Sequence, residues 1–178
     1  VIAPDARHVE LTEVDAPAIA DLFARCADYF LMQDGVASEP ADAIALFLDV
    51  PPGKTAADQS ILGWRDDQGL YAIAAILRDY PRDGIWYLGL MLVEPRRRGL
   101  GLGRSLYGSI AIWAAKHGAR EMRLAALEAN GAGERFWRAL GFEEIRRVGP
   151  DQFKEKRHCR IELGRSVAGR FPNLTSPR

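Results

Sequence analysis

The chain predicts an α+β fold, a mixed and largely antiparallel central sheet flanked by helices. Three observations carry that expectation. Three apolar segments follow one another between residues 60 and 93, separated by Asp- and Gly-rich turns, as in an antiparallel meander. Segments with apolar residues at three- and four-residue spacing precede and follow them, as in amphipathic helices. Short strand and helix patterns then alternate to about residue 163. A length of 178 residues suits one domain with a substantial core.

Taken in order, His8 to Val14 alternates polar and apolar residues, the period of a half-buried strand. Asp15 followed by Ala-Pro-Ala supplies a cap and an early proline for a helix whose apolar positions are Ile19, Leu22, Phe23, Cys26 and Phe30. A second helix runs from Glu39 or Pro40 to Leu48 and stops before Pro51 and Pro52. Ser60 to Trp64 and Leu70 to Leu77 flank the turn Asp66-Asp67-Gln68-Gly69, and Pro81-Arg82-Asp83-Gly84 leads to the strand Ile85 to Val93. A helix follows from about Gly101 to His117, with Leu102, Leu106, Ile110, Trp113 and Ala114 on one face and Gly118 to end it. Glu121 to Leu127 reads as a strand, Glu134 to Leu140 as a helix, and Gly141 to Arg147 and His158 to Leu163 as the last two strands. The domain is therefore expected over residues 1–164, with a polar tail over 165–178.

Composition excludes several classes. Lysines and arginines balance aspartates and glutamates, 24 against 24, so no global field draws the protein to nucleic acid or to an anionic membrane. The arginines cluster instead, at 96 to 98, at 104, and at 146, 147, 157 and 160, which suits a small anionic ligand. No apolar run approaches the ~18 residues of a membrane span. Cys26 and Cys159 form neither a disulfide framework nor a ligand cluster, and three scattered histidines make no metal site. A cytoplasmic, metal-free protein is expected.

The chemistry is concentrated in Val93-Glu94-Pro95-Arg96-Arg97-Arg98-Gly99-Leu100-Gly101-Leu102-Gly103-Arg104. An apolar strand ends at a proline, crosses three arginines and enters a helix through alternating glycines. Glycines let backbone N–H groups face a ligand. The helix start offers unpaired donors and the positive end of its dipole, so the segment is built to hold phosphate. Two common phosphate patterns fail on spacing. A dinucleotide fingerprint needs G-x-G-x-x-G in a βαβ unit, whereas this is G-x-G-x-G followed by a charge-rich strand. A P-loop needs a glycine where Leu48 precedes Pro51-Pro52-Gly53-Lys54-Thr55.

What fits is Arg98-x-x-Gly101-x-Gly103 with Val93-x-Pro95 upstream. Here the chain resembles the GNAT superfamily of acyl-CoA-dependent N-acyltransferases, whose pyrophosphate loop reads Arg/Gln-x-x-Gly-x-Gly/Ala. A second segment, Asn130-Gly131-Ala132-Gly133-Glu134-Arg135-Phe136-Trp137-Arg138-Ala139-Leu140-Gly141-Phe142, is similar to that family's downstream motif. The element order β-α-α-β-β-β-α-β-α-β-β is also that of the GNAT fold. The resemblance implies acetyl-CoA as donor and an amine-bearing, small-molecule acceptor, with attack inside a ternary complex. Dimers are common in that family, so a homodimer is an open expectation.

The resemblance also assigns roles. Backbone amides from Gly99 through Leu100, Gly101, Leu102 and Gly103 to Arg104 would face the CoA pyrophosphate, with Arg98 and Arg104 as charge partners. Arg96 and Arg97 would either contact the ribose phosphate or form a solvated rim. The strand around Met91, Leu92 and Val93 would splay from Glu121 to Leu127 and pair with the pantetheine amides. Asn130 would touch the cofactor arm or cap the next helix, and Phe136 would pack beside it. Trp137 stands where the family usually carries a tyrosine that protonates the leaving thiolate. Indole has only an N–H donor, so that role does not transfer; Trp137 would hydrogen-bond the sulfur or wall the site, and water, Tyr87 or Tyr107 could donate. Glu94 and Glu128 are candidate bases for the ammonium. Tyr29, Phe30 and Tyr87 are candidate acceptor contacts, with Asp28 and Asp34 beside the first two. Other readings of the chain are a CoA-binding module without catalysis and a regulator that binds ATP or NAD.

Overall fold

The computed structural model describes residues 8–167. The expected tail lies largely outside these, but the last strand runs on to Ser166, and Val167 is buried with its N–H on the Arg120 carbonyl. One sheet of seven strands forms the middle layer: β1 (Val9–Glu10), β2 (Gln59–Asp66), β3 (Gly69–Leu77), β4 (Ile85–Val93), β5 (Glu121–Leu127), β6 (Glu143–Phe153) and β7 (Lys156–Ser166). Their order is β1-β2-β3-β4-β5-β7-β6. Only β4 and β5 are parallel; the other neighbours run antiparallel.

Helices α1 (Ala16–Arg25), α2 (Ala27–Asp34) and α3 (Pro40–Leu48) cover one face, and α4 (Leu102–Lys116) and α5 (Gly131–Ala139) the other. Strand alternation feeds both cores. Ile61, Ile73 and Ala75 point to the first layer beside Ile19, Leu22 and Phe23, whereas Leu62, Ala74, Met122 and Leu124 point to the second beside Leu106 and Ile110. The face predicted for the long helix is the buried one: Leu102, Leu106, Ile110 and Ala114 are all covered, and Trp113 is half-buried against Trp86. Gly118 takes the left-handed conformation that ends the helix.

Three expectations are corrected. The strand over His8 to Val14 shrinks to Val9–Glu10, because Thr12 and Asp15 form a reciprocal cap: the Asp15 carboxylate accepts the Thr12 N–H at 2.9 Å and closes a single 3-10 turn. The first helix divides at Cys26, which leaves helical geometry with φ −98° and ψ 31°. Phe23 and Phe30 still meet across the break, with ring centroids 4.7 Å apart, so the predicted face is kept. The last two strands are longer than their patterns. β6 is exposed along most of its length and carries charged residues, which hides a strand from an alternation test. Their hairpin reaches across to the helices: Lys154 pairs with Asp42, and Lys156 Nζ donates to the Leu31 carbonyl, each at 2.8 Å.

One irregularity of the sheet positions the functional elements. Ala75 pairs with Leu90 but Ile76 with Leu88, so Gly89 is an extra residue in β4. Such a bulge bends its strand and increases the local twist. Past it the side-chain phase inverts: Leu88 faces the α4 layer, and Leu92, four residues on, is buried in the α1–α3 layer.

At the opposite edge, Gly63 lets Leu11 cross β2 closely; a Cβ there would stand 2.7 Å from Leu11 Cδ1. Gly63→Val should lower stability by about 1–3 kcal/mol through overpacking, read as a lower urea midpoint with an unchanged slope. An unchanged midpoint would show that Leu11 gives way freely.

Candidate functional site

The parallel ladder between β4 and β5 pairs Ile85 with Glu121, Trp86 with Met122 and Tyr87 with Arg123, and then stops, although β4 continues to Val93 and β5 to Leu127. A cleft of about 190 Å³ occupies the opening. Backbone from Leu88 to Met91 forms one wall and Leu124 to Leu127 the other, with Asn130 and Trp137 on the α5 side and Tyr29, Gln33, Phe153 and Arg160 on the α2 side. A sheet that opens between two central strands exposes main-chain donors and acceptors along a slot, which suits an extended ligand with amide groups.

The glycine loop stands at the end of β4. Gly99 and Gly101 have φ of 77° and 80°, a conformation side chains resist, and a Cβ at either would meet nothing within 4 Å. They are glycines for backbone shape and open space. Gly103 has a different reason: a Cβ there would lie 3.2 Å from Phe136, so the first turn of α4 packs directly on α5. The first N–H groups of α4 lack intrahelical acceptors and face this loop. Leu100 is 70% exposed at its tip, while Leu102 is buried.

Charges around the loop divide into committed and free. Arg98 Nε donates to the Val93 carbonyl at 2.7 Å, and its Nη1 binds Asp28 at the start of α2. Its guanidinium braces the loop against the helix layer, and it holds the Asp28 carboxyl below the usual carboxylate range. Arg97 binds Glu94 at 2.6 Å and Asp66 at 2.7 Å and lies 4.3 Å over the Tyr71 ring. Arg25 holds the other Glu94 oxygen at 3.2 Å. Arg96, Arg104 and Arg135 are not buried and enter no ion pair among the described residues. Of these, Arg135 directly precedes Phe136 and has no place in the loop pattern, so sequence reasoning passed it over.

The other predicted residues fall as follows. Met91, Asn130, Trp137, Tyr29 and Tyr87 line the cleft. Asn130 also caps α5, its side-chain oxygen accepting the Gly133 N–H at 2.9 Å, and this cap starts the helix at Gly131, ahead of the expected Glu134. Leu92 is buried, so only its backbone can serve a ligand. Glu94 sits between two guanidinium groups outside the cleft, a poor position for a base. Glu128 accepts from Arg147 at 2.6 Å and also stands outside it. Phe30 is a core residue between Phe23 and Tyr29, and Asp34 is buried beside Gln33. Gly89, Gln33, Ala125 and Arg160 were missed. An isolated glycine in a strand is a known bulge signal, so Gly89 was the one that could have been found.

Two tyrosines define what the cleft can do with protons. Burial pushes the Tyr87 hydroxyl up to about 12, helped by the Glu162 carboxylate, and burial likewise raises Tyr29 to about 12. Tyr29 donates to Gln33 at 2.7 Å. Tyr107 is buried behind the cleft, its hydroxyl without a hydrogen-bond partner among the described residues and its ring edge-on to Trp137, centroids 5.6 Å apart. Trp137 meets Phe136 and Phe142 in the same way, which fixes the indole as a rigid wall. Among the described residues no carboxylate lines the cleft itself. Among the described residues no His, Cys, Asp and Glu side chains are grouped as a metal site requires, and no helix is long and apolar enough to cross a membrane.

Comparisons with known proteins agree with this geometry. A family model described as Acetyltransferase (GNAT) family matches residues 18–142. No curated protein matches the chain in sequence. Among solved structures, an acetyltransferase from Thermus thermophilus superposes with a TM-score of 0.74 at 21% identity, over 90% of this chain and 96% of that one. The ribosomal-protein-S18-alanine N-acetyltransferase from Escherichia coli gives 0.68 at 16% identity, over 96% and 99%. A GCN5-related N-acetyltransferase from Kribbella flavida gives 0.65 at 21%, over 92% and 99%. At such identities the likeness is one of fold.

The Asp28–Arg98 pair has a pH signature. A carboxylate with a depressed folded-state pKa stabilises above its unfolded value, and that contribution is lost as pH falls through the folded value. Asp28→Asn should therefore cost under about 1 kcal/mol near neutral pH, the pair being largely exposed, and less at roughly pH 3, under the ordinary carboxylate pKa of ~3.9, where the contribution is already falling toward the lowered folded value. Paired urea titrations at the two pH values check this; a difference that persists undiminished in acid would mean that the substitution harms the start of α2 itself.

Proposed function

We propose that this chain, which belongs to the GNAT acetyltransferase family, is an N-acetyltransferase moving an acetyl group from acetyl-CoA to the primary amine of a small-molecule acceptor. The observation that carries this is the β4–β5 ladder that ends after three pairs, with a left-handed glycine loop at the open end. The fit is one of shape and charge. The loop glycines leave room for a diphosphate against the α4 N–H groups. The free Arg104 and Arg135 supply charge, while Arg98 acts through the brace it builds. The slot between Leu88–Met91 and Leu124–Leu127 suits a thin arm with two amide bonds.

Acetyl-CoA supplies an activated thioester; the protein supplies position and proton paths. An alkylammonium of pKa ~10 must lose a proton before it attacks. With no carboxylate on the cleft among the described residues, that proton leaves through water toward Asp49, which lines the adjoining space. The new N–C bond forms as the C–S bond breaks, the acylated nitrogen gives its second proton to water, and the thiolate departs. A phenol held near 12 is a weak acid toward a thiolate whose conjugate pKa is ~8.5, so Tyr87 can donate a hydrogen bond without surrendering its proton. The thiolate takes its proton from solvent. Trp137 then orients and excludes water from the reacting carbonyl, and a main-chain N–H beside the Gly89 bulge polarises the carbonyl oxygen.

Gly101→Val should fold and yet lose CoA affinity by at least about tenfold, since it fills space and resists the required φ. Calorimetry with CoA measures this, and unchanged affinity would remove the loop from the account. Trp137→Phe should lower kcat by less than about tenfold, below the 10²–10⁴ of a true general acid. A loss of several hundredfold with CoA binding intact would make Trp137 part of the chemistry. Tight CoA binding by the unaltered chain, with no turnover of any amine, would favour a binding module instead.

A further inference from the structure

A second basin, of about 400 Å³, opens on the α1–α3 face of the sheet. It shares Tyr87, Gly89, Ala125 and Arg160 with the cleft, so the two join where the sheet is parted. Its size suits a small organic molecule. If the chain is an acetyltransferase, the reading on which this inference depends, the basin is where an acceptor would wait.

The unspent polar groups say what kind of acceptor. On the β7–β6 side stand Arg160, Glu162 and Arg146. Glu162 is buried and already engaged: one oxygen accepts Arg146 Nε at 2.5 Å, and the other lies 3.9 Å from Arg123. Arg160 gives Nε and Nη2 to a single Asp151 oxygen, at 2.9 and 2.6 Å, and keeps Nη1. Among the described residues Arg146 uses only Nε; its side chain is 66% exposed and both terminal nitrogens are without a partner there. Tyr80 and Tyr87 stand edge to face, centroids 5.8 Å apart, and neither hydroxyl has a hydrogen-bond partner among the described residues. On the other side, where β2 and β3 lie, the one charged lining residue is Asp49 at the end of α3, and it enters no ion pair among the described residues. Pro51, Pro81 and Val148 supply apolar surface between.

Guanidinium N–H groups left unpaired on one wall match a carboxylate. One free carboxylate on the opposite wall matches an ammonium passing toward the opening. The acidic cluster expected at Asp28 and Asp34 is not available to a cation, since Arg98 holds the first and burial hides the second. We propose that the acceptor is an amino-acid-like zwitterion with an uncharged side chain, its carboxylate bound by Arg146 and Arg160 and its body against Tyr80 and Tyr87. A polyamine or aminoglycoside would meet two guanidinium groups with no second free carboxylate among the described lining residues to offset them.

The test is acetyl-CoA-dependent thiol release by the full chain with matched sets of acceptors: free methionine, leucine and phenylalanine, their carboxamides, the corresponding decarboxylated amines, and spermidine. Free acids should exceed carboxamides and amines by roughly 10- to 100-fold in kcat/KM, the range of charge-assisted hydrogen bonds. Arg146→Gln and Arg160→Gln should pull that ratio toward one, chiefly through KM, and Arg146→Lys should restore part of it. Arg146 is the safer variant for folding because it is mostly exposed, and a urea midpoint equal to that of the unaltered chain confirms an intact fold for both. CoA binding with carboxamides or spermidine preferred, with no amino acid turned over, or with a ratio indifferent to both arginines, overturns this proposal alone. Failure to bind CoA overturns the acetyltransferase reading and this one together.

Discussion

The central constraint is that two parallel strands in the middle of the sheet cannot stay paired. Gly89 adds a residue to β4 opposite the continuous ladder of β3, and the strand bends away from β5 after three pairs. Main-chain groups deep in a folded core are rarely left without partners. A parted ladder is therefore stable only where solvent or a ligand can take their place. The helix layers on both faces keep the opening narrow, since Phe23, Phe30 and Leu92 fill one side and Leu88, Leu106 and Phe142 the other. The slot opens where the same strand carries its extra residue.

The loop at the end of that strand depends on the same bend. Three arginines in a row look equivalent on paper, and the fold gives them different work. Arg98 ties the loop to α2, Arg97 locks Glu94 and Asp66, and Arg96 is left in solvent. Exposed pairs of this kind add little stability each. Their effect is geometric: they hold the backbone of Gly99 to Gly101 still, so its N–H groups are already in place. The glycines add the φ values that make the turn possible, and Gly103 lets α4 sit against Phe136.

The cleft is lined by two half-buried tyrosines and an indole rather than by an acid–base pair. Tyr29 and Tyr87 stay protonated at any ordinary pH because burial disfavours the phenolate. Such groups orient and hydrogen-bond; they do not exchange protons readily. Of the two carboxylates that line the adjoining basin on the α1–α3 face, Glu162 is engaged and Asp49 is free of ion pairs among the described residues. Chemistry that relies on a good leaving group and on water as proton carrier is consistent with that lining.

The sequence alone was enough for what depends on near neighbours. Strand limits at Ile85–Val93 and Glu121–Leu127, the buried face of α4 and the glycine loop that leads into it follow from periodicity and local φ/ψ preference, and residues a few positions apart settle them. The motif around Asn130 to Phe142 pointed to the family. Tertiary structure decided the rest. It placed β7 between β5 and β6, a pairing that joins Ala125 to Glu162 across the chain. It sent Glu94 to Arg25 and Arg97, away from the cleft, put Phe30 in the core, and brought Arg146, Arg160, Tyr80 and Tyr87 to one basin. A guanidinium has many carboxylates within reach of an unfolded chain. Which one it meets is fixed only when strands distant in sequence come within a few ångströms, and no local pattern encodes that distance.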